Sequence, residues 1–193
     1  MIDKVIHNMS VAFVDMLQGD NKYSELKYAK VTYSIEMLIS ELSKILIATI
    51  IFFMCGRFYE YVFCFVVLVL TRSFIGGLHA KTYIGCLGMS IFFFGFGMAI
   101  KEHVHLSIVV LLVMFLIYVL VIAFIAPVQS ANRLKLDKRN KYKQKMCAVL
   151  FSTVFCVIVY NLFDQYFILL IYVYWFQMIA AIYKLISLGG RKI

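Results

Sequence analysis

Six long apolar segments, separated by short polar stretches, constrain this chain more than any other feature. They run over residues 33–55, 58–74, 82–100, 106–126, 146–163 and 165–183. Most are close to the roughly 20 residues that a helix needs to cross a bilayer. A soluble protein that is 64% hydrophobic could not cover its surface with polar groups. The sequence therefore predicts an all-α integral membrane protein with six transmembrane helices.

A shorter amphipathic segment precedes the first span. Apolar residues recur at helical spacing between Ile2 and Leu17, and polar residues lie largely on the opposite face. This pattern predicts a helix that either lies on the membrane surface or packs on the bundle. The N-terminus lacks the features of a cleaved secretory signal, so we expect the internal spans to drive insertion. Because the chain has no low-complexity tract, we expect a single polytopic membrane domain over residues 1–193.

The distribution of basic residues predicts the orientation. The chain has a formal charge of +9, and the basic residues cluster at the ends of the apolar segments. This arrangement is typical of membrane topology rather than of nucleic-acid binding, so we expect no nucleic-acid partner. With six spans, 16 Lys and Arg residues fall on one side and 2 on the other. The rule that basic residues stay inside places both termini and the segment that contains His79 and Cys86 in the cytoplasm.

The cysteines and histidines do not form a metal or disulfide pattern. The chain has five cysteines, an odd number without paired spacing, which argues against a disulfide framework or a zinc site. His103 and His105 are interpreted as part of a polar hinge over residues 101–105 rather than as metal ligands. We expect no metal and no cofactor.

The first span carries polar residues in its N-terminal half. Glu36, Ser40 and Ser43 share one helical face, which would point a polar stripe at the bundle interior. Glu41 and Lys44 are spaced to pair at i,i+3.

The connector between the second and third spans carries a histidine and a cysteine. His79 could be the base and Cys86 the nucleophile of a cysteine hydrolase, although such residues also serve in packing. On a straight helix they would lie about 10 Å apart, too far for proton transfer. We therefore expect the backbone to bend there. If Cys86 lies in the first turn of the third span, the helix N-terminus would favour a thiolate and offer N–H groups to an oxyanion. Three glycines would permit the bend: Gly76, Gly77 and Gly85.

These residues resemble the signature of a known family, the accessory gene regulator B (AgrB) membrane cysteine endopeptidases of Gram-positive quorum sensing. The signature comprises Arg72, Gly76-Gly77, His79-Ala80, Lys81-Thr82 and Cys86. The chain length, the amphipathic N-terminus, Glu36, Ala126-Pro127 after the fourth span and the basic stretch before the last hairpin also agree, so the resemblance covers the whole chain.

The resemblance implies a single peptidase domain that cleaves a short signal propeptide with an acidic tail (AgrD-like) at the cytoplasmic face of the bacterial cell membrane. Cys86 would attack the peptide carbonyl and His79 would activate the thiol. An internal Cys or Ser of the substrate would then displace the thioester and release a thiolactone or lactone. The resemblance also implies a homodimer.

The supporting residues have more than one interpretation. Arg72 would anchor a backbone carbonyl or a substrate carboxylate, or serve only as a topological anchor. Glu36 would orient His79 or pair with Arg72, and Lys81 would bind substrate or mark topology. Residues 133–145 are interpreted as a basic loop, which would capture the acidic tail or only control topology. As alternatives to an enzyme, the chain could be a small membrane transporter or exporter of a peptide, with the polar stripe lining a path, or a non-catalytic assembly factor.

Overall fold

A computed structural model of the protein describes residues 2–18, 23–75, 82–126 and 138–189. Within these residues all regular structure is helical, which confirms the predicted fold class. Seven α-helices and one short 3-10 turn follow in order: α1 Ile2–Gln18, α2 Glu25–Met54, α3 Phe58–Ile75, α4 Tyr83–His103, α5 Ile108–Ile125, α6 Lys138–Leu162, the turn Asp164–Tyr166, and α7 Phe167–Gly189.

Six of the described helices are long and apolar enough to cross a membrane, and they match the six predicted spans in order. Several extend beyond the apolar segments. The first begins at Glu25 and the fifth at Lys138, so the interpretation of residues 133–145 as a loop is wrong from Lys138 onward. The predicted hinge is also partly wrong, because residues 101–103 form the last turn of α4. An apolar pattern marks the part of a helix that lipid can surround, whereas backbone hydrogen bonding continues into the polar flanks.

The chain divides into two compact units. The first comprises Met1–Phe58 and Ala80–Phe92, and so contains α1, α2 and the first half of α4. The second comprises Tyr59–His79 and Phe93–Ile193, and contains α3, the second half of α4 and the helices α5 to α7. The expectation of a single domain stays a prediction.

In the first unit, α1 packs antiparallel on α2. A narrow stripe of α1 is buried, formed by Ile6, Ser10 and Val14. The buried Ser10 hydroxyl donates to the carbonyl of Ile6, so its polar group is satisfied. The apolar residues beside this stripe remain exposed: Val5, Met9, Phe13, Met16 and Leu17. Of the two predicted alternatives, α1 therefore packs on a neighbouring helix, and it keeps an apolar face of the kind that surface helices place in lipid.

The end of α2 is set by a glycine. Gly56 has a positive φ of 70°. The N–H of Gly56 donates to the carbonyl of Phe53 at 3.0 Å, and that of Arg57 donates to the carbonyl of Phe52 at 2.9 Å. This is the Schellman arrangement, in which a left-handed glycine lets the last carbonyls find donors. The chain can then start α3 at Phe58.

The second unit is built around α7, whose residues Leu169, Leu170 and Val173 are fully buried. The rings of Tyr118 from α5 and Tyr174 from α7 stack with centroids 4.5 Å apart. Both hydroxyls reach Ser152 of α6, at 3.2 and 3.0 Å. Polar side chains with partners inside the bundle hold helices together where lipid supplies no hydrogen bonds.

Further side-chain bonds to backbone carbonyls link α7 to three other helices of this unit. The Tyr172 hydroxyl donates to the carbonyl of Phe93, the Trp175 indole N–H to that of Met114, and the Gln177 amide to that of Leu68. These bonds connect α7 with the second half of α4, with α5 and with α3.

Candidate functional site

The thiol of Cys86 lies at the start of α4, as predicted. The helix begins at Tyr83, which makes Cys86 its fourth residue. The N–H of Cys86 donates to the carbonyl of Thr82 at 3.0 Å and so makes the first backbone bond of the helix. The Gly85 N–H donates to the Thr82 hydroxyl at 3.2 Å, as is typical of an N-cap residue. Thr82 itself is not helical, so no continuous helix enters Cys86 from the connector.

The side chains of Tyr83 and Asp3 hold this first turn of α4 against α2 and α1. Tyr83 is buried, and its hydroxyl donates to the Ser43 hydroxyl of α2 at 3.0 Å. The Ser43 hydroxyl in turn donates to the carbonyl of Ser40 at 3.0 Å. The N–H of Tyr83 donates to the Asp3 carboxylate of α1 at 3.4 Å. A carboxylate is favourable at a helix N-terminus because it meets unsatisfied N–H groups.

These bonds limit how far the N-terminus of α4 can offer free N–H groups to an oxyanion. The first-turn N–H groups of Tyr83, Gly85 and Cys86 already donate to Asp3 or Thr82. They are therefore engaged in the structure and would have to change partner before they could bind an oxyanion. Other donors near the sulfur become more important for charge stabilisation.

Lys44 of α2 provides such a donor. Its Nζ lies 3.5 Å from the Sγ of Cys86. The side chain is buried, with 8% of the residue exposed. The same Nζ lies 2.7 Å from Oε1 of Glu41, which confirms the predicted i,i+3 pair. It also lies 5.8 Å from the centroid of the Tyr83 ring, at the outer limit of a cation–π contact.

The contact between Lys44 and Cys86 was not predicted from the sequence. The available signal was that a lysine inside a span needs a partner, but Glu41 at i,i+3 satisfied that need locally. The sulfur is 42 positions away in the chain, so only the packing of α4 against α2 brings it to the ammonium.

Glu36 lies on α2 and contacts a residue of α1. Its Oε2 is 3.1 Å from the Nδ1 of His7, and the two side chains are 34% and 55% exposed. The predicted partners of Glu36 were His79 and Arg72, not His7. Exposed pairs of this kind contribute little to stability, so the contact leaves the predicted role of Glu36 untested.

The other predicted site residues are placed as follows. Arg72 lies half-buried in the last turn of α3, where a cation is favourable. Ser40 contributes its backbone carbonyl to Ser43. Gly76, Gly77, His79 and Lys81 lie outside the described residues, and the His79/Cys86 dyad stays a prediction. Within residues 2–18, 23–75, 82–126 and 138–189, no group of three or more His, Cys, Asp or Glu residues is placed to hold a metal ion.

Partial accessibility distinguishes Cys86 from the other cysteines. Cys64 and Cys156 are buried, and Cys55 and Cys147 are exposed, whereas Cys86 is intermediate. Reactive cysteines are typically found in partly exposed positions next to a cation or a helix N-terminus. Cys86 has both neighbours, so the arrangement suits a nucleophilic thiolate.

Comparison with known proteins identifies the family. The sequence matches the family described as Accessory gene regulator B over residues 10–187. An AgrB-like protein of Clostridium beijerinckii is 34% identical over 94 residues, which are 49% of this chain and 46% of that protein. The chain thus aligns with about half the length of this curated relative. No solved structure matches the chain significantly. With six helices long enough to cross a bilayer, this multi-pass membrane protein belongs to the accessory gene regulator B (AgrB) family.

Proposed function

We propose that this protein is a membrane cysteine endopeptidase that cleaves a quorum-sensing signal propeptide at the cytoplasmic face and promotes its cyclisation. The observation that carries the proposal is the position of Cys86, in the first turn of α4 with its Sγ 3.5 Å from an ammonium. Membership of the AgrB family supports a role in processing a quorum-sensing peptide.

In the first half of the reaction, the Cys86 thiolate attacks the carbonyl carbon of the scissile peptide bond. His79 takes the thiol proton and later gives it to the leaving amine as the C–N bond breaks. The N-terminal part of the substrate remains attached to Cys86 as a thioester. The helix N-terminus and Lys44 support this step because both favour negative charge near the sulfur.

In the second half, a thiol or hydroxyl within the bound peptide attacks the thioester carbonyl and gives its proton to His79. The C–S bond to Cys86 breaks, the sulfur leaves as a thiolate, and the ring closes as a thiolactone or lactone. Thioester exchange conserves the activation of the broken amide, whereas attack by water would give a linear product. A site beside membrane helices favours cyclisation because it limits access of water.

The start of α6 suits a substrate with an acidic tail. Arg139, Lys141 and Lys143 are exposed there, and the first turn has no acidic residue. A helix N-terminus already carries partial positive charge, so these cations raise the local positive potential further. We propose that they attract the acidic tail of an AgrD-like propeptide. The homodimer and the cytoplasmic position of both termini stay predictions.

The proposal is tested with the full-length protein in proteoliposomes and the propeptide encoded by a short reading frame beside its gene. We expect Cys86→Ala and His79→Ala to abolish cleavage, and acid quenching of the wild type to leave an acyl group on the peptide that contains Cys86, detected by mass spectrometry. Cys55→Ser and Cys147→Ser serve as matched controls and should cleave normally.

Cleavage that persists in Cys86→Ala would contradict the proposal. Peptide flux that survives Cys86→Ser, without cleavage in the wild type, would instead favour a transporter.

A further inference from the structure

We propose that Lys44 is a third catalytic residue, whose ammonium stabilises negative charge on the sulfur of Cys86 both when the thiolate attacks and when it leaves. The inference deepens the proposed endopeptidase function and rests on it. It assigns a chemical role to a charged side chain that lies inside a membrane helix.

The position of the ammonium is fixed from its own helix. An ammonium in apolar surroundings is costly unless it is paired, and Lys44 is only 8% exposed. Glu41, one turn earlier, supplies the counter-charge at 2.7 Å and orients the Nζ. The Glu41 side chain is itself 41% exposed. The ammonium contacts the carboxylate at 2.7 Å and the sulfur at 3.5 Å, so its charge acts on both.

The position of the sulfur is fixed by a second contact between the same two helices. Tyr83 lies one turn before Cys86 on α4, and its hydroxyl donates to Ser43, the neighbour of Lys44 on α2. Two adjacent residues of α2 thus meet two residues one turn apart on α4. This register holds the Nζ of Lys44 3.5 Å from the sulfur.

In the described part of the chain, Lys44 is the basic side chain that contacts Cys86. The other ionisable side chains that make contacts near it on α1, α2 and α4 include Asp3, His7, Glu36, Glu41 and Tyr83. A charge-assisted N–H donor at the sulfur is stronger than a neutral one.

The role requires no proton transfer by Lys44. The thiol proton passes to His79, and the Cys86 thiolate accepts an N–H bond from Lys44. That bond weakens when the S–C bond to the acyl group forms, because the thioester sulfur carries little negative charge. Ring closure breaks the S–C bond and returns the thiolate to the ammonium. Lys44 keeps its three protons throughout, so charge rather than acidity should determine its effect.

The test measures the alkylation of Cys86 in the full-length protein in lipid nanodiscs, without substrate. Iodoacetamide is neutral and iodoacetate is anionic, and mass spectrometry of the peptides gives the rate at each cysteine. We expect Lys44→Met to slow the reaction of Cys86 with iodoacetamide roughly tenfold, and with iodoacetate by more, because the positive field is lost. The exposed Cys55 and Cys147 in the same sample are internal references and should be unaffected.

Two further variants keep the test decisive. Lys44→Arg retains the charge and should stay within about threefold of the wild type. Glu41→Gln keeps Lys44 but removes its counter-charge, so the reaction of Cys86 should become faster. Lys30→Met, an exposed lysine on the same helix, is the matched control and should change nothing. Wild-type rates in Lys44→Met, or a slower reaction in Glu41→Gln, would overturn the proposal.

Failure of this inference is distinguishable from failure of the proposed function. If Cys86→Ala is inactive but Lys44→Met cleaves and alkylates like the wild type, only the role of Lys44 is wrong. If Cys86→Ala still cleaves the propeptide, the endopeptidase mechanism is wrong regardless of the alkylation rates.

Discussion

Among the described residues, two lysine–glutamate pairs lie in apolar helices, one in each compact unit, and their surroundings differ. Lys44 pairs with Glu41 on its own helix at 2.7 Å and contacts the sulfur of Cys86. Lys101 pairs with Glu60 of a different helix, α3, at 3.1 Å. Lys101 also lies over the ring of Tyr166, 4.4 Å from the centroid. The charge pair at Cys86 thus lies within one helix, whereas the pair in the second unit links two helices.

Burial differs most between α7 and the other membrane-length helices. In α7 of the second unit 56% of the membrane-length segment is buried, whereas the share is 17% for α2 of the first unit and 17% for α5 of the second. Aromatic stacks and bonds to backbone carbonyls fill the second unit. Densely packed regions are hard to open, while regions with few buried contacts open at low cost. We therefore expect α7 to be the helix that is hardest to displace.

The largest expected contrast is between the two lysines. Lys44→Met should lower the turnover number for propeptide cleavage at least tenfold, with little change in thermal stability. Lys101→Met should instead destabilise the protein by about 3 kcal/mol, because it removes an ammonium from the Glu60 carboxylate, and the two side chains are only 20% and 15% exposed. Thermal unfolding in detergent and single-turnover cleavage separate the two effects.

The double variant Glu60→Gln/Lys101→Met is the control for the second unit. It should recover part of the lost stability, because no isolated charge remains. If Lys101→Met unfolds at the wild-type temperature but loses propeptide cleavage, the proposed difference between the two lysines is wrong.

Two glycines of α4 test how tightly the second unit is packed. A Cβ at Gly97 would lie 2.7 Å from the ring of Tyr172, whose hydroxyl is held by the carbonyl of Phe93. We expect Gly97→Ala to destabilise the protein by about 1–3 kcal/mol. Gly95→Ala is the matched control on the same helix, since a Cβ there meets nothing within 4 Å. It should be neutral or slightly stabilising. Equal unfolding midpoints for both variants would argue against a rigid Tyr172.

A smaller effect is expected where α4 docks on α2. Tyr83→Phe removes the hydroxyl that donates to Ser43 at 3.0 Å and should cost about 1 kcal/mol of stability. Because this bond sets the register of Cys86 with Lys44, cleavage and iodoacetate labelling of Cys86 should both fall a few-fold. Loss of stability without any change in labelling would show that the register does not depend on this bond.

The smallest effect is expected at the contact between α1 and Glu36. His7→Ala removes a pair whose side chains are 55% and 34% exposed, so stability should change by less than about 1 kcal/mol and cleavage by less than twofold. Glu36→Gln tests the role implied by the family resemblance, and a large loss of cleavage there, with normal unfolding, would support it. Equal effects of both variants would indicate that Glu36 serves only to hold α1.

Local signals predicted much of this structure. Apolar length gave the number and order of the membrane helices, because crossing a bilayer requires about 20 apolar residues whatever the packing. Helical spacing predicted the pair of Glu41 and Lys44, and the apolar segment from residue 82 predicted that Cys86 would lie near the start of α4. The starts of α2 and α6 were missed because their first turns are polar, and hydropathy carries no information about backbone hydrogen bonds outside the lipid.

The sequence by itself determined the membrane helices, the family resemblance and the position of Cys86 near the start of the third span, since each of these depends on residues that are near in the chain. Only the tertiary structure placed Lys44 against the sulfur of Cys86, Tyr83 against Ser43 and His7 against Glu36. The physical reason is that a membrane helix is apolar on nearly every side. Its hydrophobic pattern therefore does not tell which face meets lipid and which meets another helix, and that choice is made by packing and by the few polar groups that find partners.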